Sequence, residues 1–95
     1  SETVWEGKSE KKPEKKLKFS YNEQREFDML GGEIEKLEDQ LTAIDEEMAT
    51  ITTDFVRLNE LNTKKEEVEE NLLEKMERFE YLSDLNDKIL AQKKG

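Results

Sequence analysis

The amino-acid sequence predicts an all-α fold, an antiparallel two-stranded coiled-coil hairpin with a short N-terminal helix leading into the first arm. Two stretches of apolar residues, spaced alternately by three and four, predict the two helical arms. A threonine-rich segment at residues 50–54 predicts the turn between them. The composition agrees, because 43% charged and 33% apolar residues suit helices that each bury one narrow stripe.

The first residues differ in character from the rest of the chain. Residues 1–19 contain Gly7, Pro13 and a mixture of lysine and glutamate without an apolar period. We therefore expect a flexible basic linker over this range. The hairpin is expected to take residues 20–95.

The first arm is predicted over residues 20–51. Ser20 and Glu23 have the spacing of a capping box, which marks Ser20 as the helix N-cap. Gly31 and Gly32 each lower helix propensity by about 1 kcal/mol relative to alanine, so a kink or a brief unwinding is expected there. The apolar positions are Phe27, Leu30, Ile34, Leu37, Leu41, Ile44, Met48 and Ile51.

The second arm is predicted over residues 55–92, with Asp54 as its N-terminal cap. Lys65 and Lys75 occupy seam positions, where their stems can cover apolar surface while the ammonium groups reach neighbouring glutamates. The apolar seam positions are Leu58, Leu61, Val68, Leu72, Phe79, Leu82 and Ile89, and Asn86 continues the same spacing.

The residue numbers of the two seams predict the register. In a chain that folds back on itself, facing residues have numbers with a constant sum. Phe27 with Phe79 gives 106, and Leu37 with Val68 gives 105. A single hairpin satisfies both seams, which favours pairing within one chain over helices that pair with other chains.

Several classes of function are disfavoured by what the sequence lacks. With no histidine and no cysteine, the commonest general base and the commonest zinc ligands are missing, so we expect neither catalysis, nor a metal site, nor a cofactor in this segment. The apolar runs are too short to span a membrane. We expect a cytoplasmic, monomeric domain without membrane contact.

The distribution of charge suggests where a polyanion would bind. The chain carries a net charge of −9, yet lysines cluster in the linker and at the end of the second arm. The register brings these two regions together at the open end of the hairpin, whereas the turn is acidic. A soluble tether is the alternative interpretation, because glutamates interleave the lysines. The candidate nucleic-acid-binding residues are Lys8, Lys11, Lys12, Lys15, Lys16, Lys18, Arg25, Lys88, Lys93 and Lys94.

Two segments resemble the C-terminal coiled-coil domain of ABC-F ATPases of the Uup type. The first is LKFSYNEQRE at residues 17–26, followed by Leu30 and by IEKLE at residues 34–38. The second is MERFEYL at residues 76–82, near the end of the long helix. The similarity extends from residue 17 to about residue 90.

The resemblance implies an accessory role in a larger protein. In that family, two nucleotide-binding domains with Walker motifs precede the module, and the module is linked to nucleic-acid binding around DNA or the ribosome. ATP hydrolysis would then belong to the parent ATPase domains. The alternative is a structural or protein–protein interaction coiled coil. The choice between DNA and ribosomal RNA stays open.

Overall fold

The computed structural model describes residues 16–94, which form two long antiparallel helices, α1 (Tyr21–Ala49) and α2 (Phe55–Lys94). Their 29 and 40 residues correspond to about 44 Å and about 60 Å at a rise of 1.5 Å per residue. The helical hairpin predicted from the sequence is confirmed. Neither of the helices in residues 16–94 is long and apolar enough to cross a membrane.

The start of α1 is fixed by the capping box that the sequence predicts. Ser20 has an extended backbone, and its hydroxyl accepts a hydrogen bond from the Glu23 amide at 3.1 Å. The Glu23 carboxylate in turn accepts from the Ser20 amide at 2.9 Å. Two amides that lack partners inside the helix are thereby satisfied, so the helix begins at Tyr21.

The prediction of a break in the first arm was wrong, because α1 continues as regular helix through Gly31 and Gly32. The short N-terminal helix expected before the break is thus the first part of α1. Buried Leu30 and partly buried Ile34 hold the helix against α2 on both sides of the glycines, which outweighs their low propensity. A Cβ at either glycine would meet nothing within 4 Å.

The turn is capped at both of its ends. The Thr50 hydroxyl donates to the Glu47 carbonyl at 2.7 Å, so α1 ends at Ala49, two residues before the predicted boundary. The Asp54 carboxylate accepts from the Arg57 amide at 3.0 Å, which confirms the predicted cap of α2. The second helix extends to Lys94, two residues past its predicted end.

The core consists of one buried stripe along each helix. In α1 the buried side chains are seven residues apart. In α2 they follow the same interval, except that Lys75 stands at the position between Val68 and Leu82. A second row of apolar residues beside each stripe is half-buried. In this row the Phe27 and Phe79 rings stack with centroids 5.5 Å apart. This contact confirms the register in which facing residue numbers sum to 105 or 106. The buried side chains are Leu30, Leu37, Ile44, Leu61, Val68, Leu82 and Ile89.

The two lysines in the seams reach carboxylates on the opposite helix. Lys75 lies 3.2 Å from Glu33 and Lys65 lies 2.8 Å from Asp45, measured between ammonium nitrogen and carboxylate oxygen. Both lysine side chains are about one-third exposed, so their stems cover the core while their charges stay in water. The predicted arrangement is confirmed, although the partner of Lys65 is an aspartate.

Two leucines of α2 allow a matched test of this core. Leu82 is 0% exposed and Leu90 is 49% exposed. We expect Leu82→Ala to lower the free energy of unfolding by about 2 to 5 kcal/mol, since it leaves a cavity in the stripe. Leu90→Ala should cost much less. Urea unfolding followed by circular dichroism measures both, and equal losses would contradict the packing described.

Candidate nucleic-acid interface

The open end of the hairpin is closed by a short non-helical segment, residues 16–20, which we call the strap. The Leu17 amide donates to the Gln92 side-chain carbonyl at 3.0 Å, and the Gln92 side-chain amide donates back to the Leu17 carbonyl. The Phe19 ring lies 5.5 Å from the Phe27 ring, between centroids. Residues 16–19 are therefore docked on the helices, which corrects their assignment to a flexible linker.

A groove of about 480 Å³ lies between the strap and the last turns of α2. Three of the candidate lysines, Lys16, Lys18 and Lys93, line it together. The groove is amphipathic, since apolar and amide side chains form the rest of its wall. These other lining residues are Leu17, Phe19, Gln24, Asn86, Ile89, Leu90 and Gln92.

The remaining candidate residues are not gathered in the groove. Arg25 and Lys88 are exposed at the same end of the hairpin but do not line it. Lys94 is the last residue of α2. The four other lysines lie outside the described residues, as does Trp5; they are Lys8, Lys11, Lys12 and Lys15.

Charge is segregated along the long axis of the hairpin. We define the base as residues 16–25 and 84–94, and the tip as residues 45–60. The base carries six basic and three acidic residues, whereas the tip carries one basic and five acidic residues. Within residues 16–94 no group of three or more carboxylates is arranged to hold a metal ion. The base is thus the positively charged end of residues 16–94.

Arg78, two turns before the base, pairs with a carboxylate of α1 at the surface. Its guanidinium donates two hydrogen bonds to the Glu26 carboxylate at 2.8 and 2.9 Å, and it lies 5.2 Å from the centroid of the Tyr81 ring. The hydrogen bonds lower the pKa of Glu26 and raise the pKa of Arg78. This bidentate pair links α1 and α2 beside the stacked phenylalanines.

The strap is the part of the site that sequence reasoning missed. Leu17 and Phe19 alternate with Lys18, and this two-residue period is the signal of a chain that packs one side on a neighbour. Gln92 gave no such signal, because its partner is 75 residues away in the sequence. The docked strap fixes where Lys16 and Lys18 lie, beside the groove.

The fold and the charge distribution together define a helical-hairpin module with a basic end. A family model described as the ABC transporter C-terminal domain matches residues 18–84, and the chain belongs to that family. The match includes the strap from Lys18 onward but ends before the last ten residues of α2. A search of curated proteins gave no match, and a search of solved structures gave none either.

The Glu26–Arg78 pair predicts a pH dependence of stability. Because the pKa of Glu26 in the folded chain lies below its ordinary value of 4.5, the pair stabilises the fold above that pH, and the stabilisation is lost as the pH falls through the lowered pKa. Glu26→Gln should therefore be less stable than the parent at pH 7. The difference should shrink in acid.

Denaturant midpoints of parent and variant, measured at pH 7 and at about pH 3, test this expectation. Glu70→Gln is the control, because Glu70 is exposed. A difference between parent and Glu26→Gln that stays the same at both pH values would show that the carboxylate charge is not what stabilises the pair.

Proposed function

We propose that this chain is a non-catalytic accessory domain that binds nucleic acid, either DNA or ribosomal RNA, through its base. The observation that carries the proposal is the groove with Lys16, Lys18 and Lys93 along it, at the only positive end of the described hairpin. Lysines attract phosphates, and the release of condensed counterions drives the association. The acidic body and tip repel the same polyanion and so orient it towards the base.

The apolar part of the groove adds a second means of binding. The Phe19 ring and the half-exposed Leu17 and Leu90 lie beside the lysines. Bases of single strands or unpaired loops stack on aromatic rings such as Phe19 with little dependence on sequence, and the leucines add apolar contact. This arrangement favours a contact with modest sequence preference, made mainly to the backbone.

At finer detail, we infer that the parent protein is a cytoplasmic ABC-F ATPase of the Uup type. The sequence segments at residues 17–26 and 76–82 support this subtype. ATP binding and hydrolysis then belong to domains outside this chain, and this segment carries neither a catalytic residue nor a cofactor. The domain acts as a monomer, since each helix covers its stripe with the other.

A contact with protein is the second candidate function, and the exposed Leu17 and Leu90 favour it. The same groove would then hold an apolar segment of the parent ATPase or of another chain. Salt dependence separates the two candidates, because phosphate contacts weaken steeply with added salt while apolar contacts respond little.

Replacement of groove lysines should weaken binding and reduce its salt dependence together. We expect Lys18→Gln with Lys93→Gln to lower the affinity for duplex DNA and to flatten the slope of log affinity against log salt by roughly 0.9 per lysine. The slope is obtained by fluorescence anisotropy between about 50 and 200 mM salt, with a labelled duplex and a labelled ribosomal RNA fragment.

The matched control is Lys36→Gln with Lys64→Gln, which removes the same charge from exposed positions away from the base. The control should keep the parent's slope. If both double variants lose the same affinity and slope, binding depends on net charge alone and the proposed interface is wrong. If the parent shows no affinity for either probe at low salt, the nucleic-acid function is wrong.

A further inference from the structure

The tip exposes two large apolar side chains next to each other. Phe55 is 71% exposed and Val56 is 73% exposed, at the first two positions of α2. Among the exposed large hydrophobic side chains of residues 16–94, they come just below Tyr21 at 76% and above Leu73 at 58%. Neither residue belongs to a seam, and both lie outside the core.

The hairpin does not need these side chains for its own stability. The end of the core is filled by Met48 and Ile51, which pack against the buried stripe, while Leu58 continues the half-buried seam. The turn is fixed by polar caps at Thr50 and Asp54. Valine is also a poor helix former, so its presence at an exposed helical position is unfavourable without a contact elsewhere.

A second groove, of about 420 Å³, lies beside Phe55. Its wall combines the Met48 and Leu58 side chains with the amides of Asn59 and Asn62. Such a surface accepts an apolar side chain and offers hydrogen bonds at its rim, the usual composition of a small protein–protein contact.

This apolar surface lies at the acidic end of the hairpin. The tip carries five carboxylates, and Arg57 is its one basic residue. The Arg57 guanidinium is already bound, at 2.9 Å from Glu47 and 3.3 Å from Glu60, and these hydrogen bonds raise its pKa. Asp45 is paired as well, with Lys65, so five carboxylates against these two basic partners leave the tip a net negative charge of three.

We propose that the tip is a docking surface for a basic protein segment with an apolar face, such as an amphipathic helix rich in lysine or arginine. Phe55 and Val56 would contact the apolar face, and the carboxylates around them would meet the basic residues at its edges. This inference is independent of the nucleic-acid contact, which concerns the opposite end of the molecule. The hairpin would then be a spacer that holds two unlike partners apart.

Other occupants fit the tip less well. Nucleic acid would be repelled by the carboxylates. A second copy could offer only its own base, the one positive end in residues 16–94, which the proposed function assigns to nucleic acid. A head-to-tail contact between copies would form closed assemblies or filaments larger than one chain. A basic segment of a different chain satisfies both the charge and the apolar surface.

A synthetic helical peptide of leucine and lysine, with the leucines on one face, is a suitable probe. It is titrated into the ¹⁵N-labelled chain, and amide chemical shifts are followed. We expect the shifts to concentrate at residues 45–60. Phe55→Ser with Val56→Ser should weaken binding by at least about tenfold, since two apolar contacts are lost. The matched control Leu73→Ser should bind as the parent does.

Two controls separate a loss of the docking contact from unfolding and from binding by charge alone. Circular dichroism checks that each variant folds, which is expected because the replaced side chains are exposed. A peptide with alanine in place of leucine should bind more weakly and without concentration at the tip. The proposal is overturned if shifts spread evenly along both helices, or if the Phe55 and Val56 variant binds as tightly as the Leu73 variant. Shifts at the tip caused by duplex DNA, or concentration-dependent filaments in sedimentation velocity, would also overturn it.

Discussion

The structure depends on the contact between two apolar stripes in which every seventh residue is buried. A chain with 33% apolar residues cannot form a layered core, so this contact supplies most of the hydrophobic stabilisation within residues 16–94. Leu37 and Ile44 of α1 face Val68 and Leu61 of α2. A shift of the register by one residue would move these side chains out of the interface and expose them to solvent. The position of every other group follows from this register, including the side chains at the two ends.

Ion pairs between the helices agree with this register, and the distribution of charged residues makes the base positive and the tip negative. In the four ion pairs between the helices, the carboxylate belongs to α1 and the basic group to α2; their members are Glu26–Arg78, Glu33–Lys75, Asp45–Lys65 and Glu47–Arg57. Each pair is exposed and individually weak. Together they pair Arg57, Lys65, Lys75 and Arg78 with carboxylates, whereas six basic residues lie at the base. The acidic tip is the other consequence of the same distribution.

Much of the fold was predictable because it depends on spacing. The helices, the caps at Ser20 and Asp54 and the register follow from positions in the sequence. The expected break at Gly31 was wrong because propensity is a local quantity, while the helix there is held by packing against α2.

The candidate site was predicted only in part. Sequence reasoning located lysines at the base, but the docking of Leu17 on Gln92 is a long-range contact that no local pattern encodes. The groove beside Phe55 was not predicted either, since it depends on how the first residues of α2 sit against Met48 of α1.

The central claim is that the two arms pair within one chain, in a register in which facing buried residues have numbers summing to 105. Disulfide trapping tests it directly, because the chain contains no cysteine of its own. Ile44→Cys with Leu61→Cys joins facing positions, and oxidation should link them rapidly within a single chain. Ile44→Cys with Val68→Cys, offset by seven residues or about 10 Å of helix, should not form that link. Equal trapping of the two pairs, or links formed only between chains, would contradict the account.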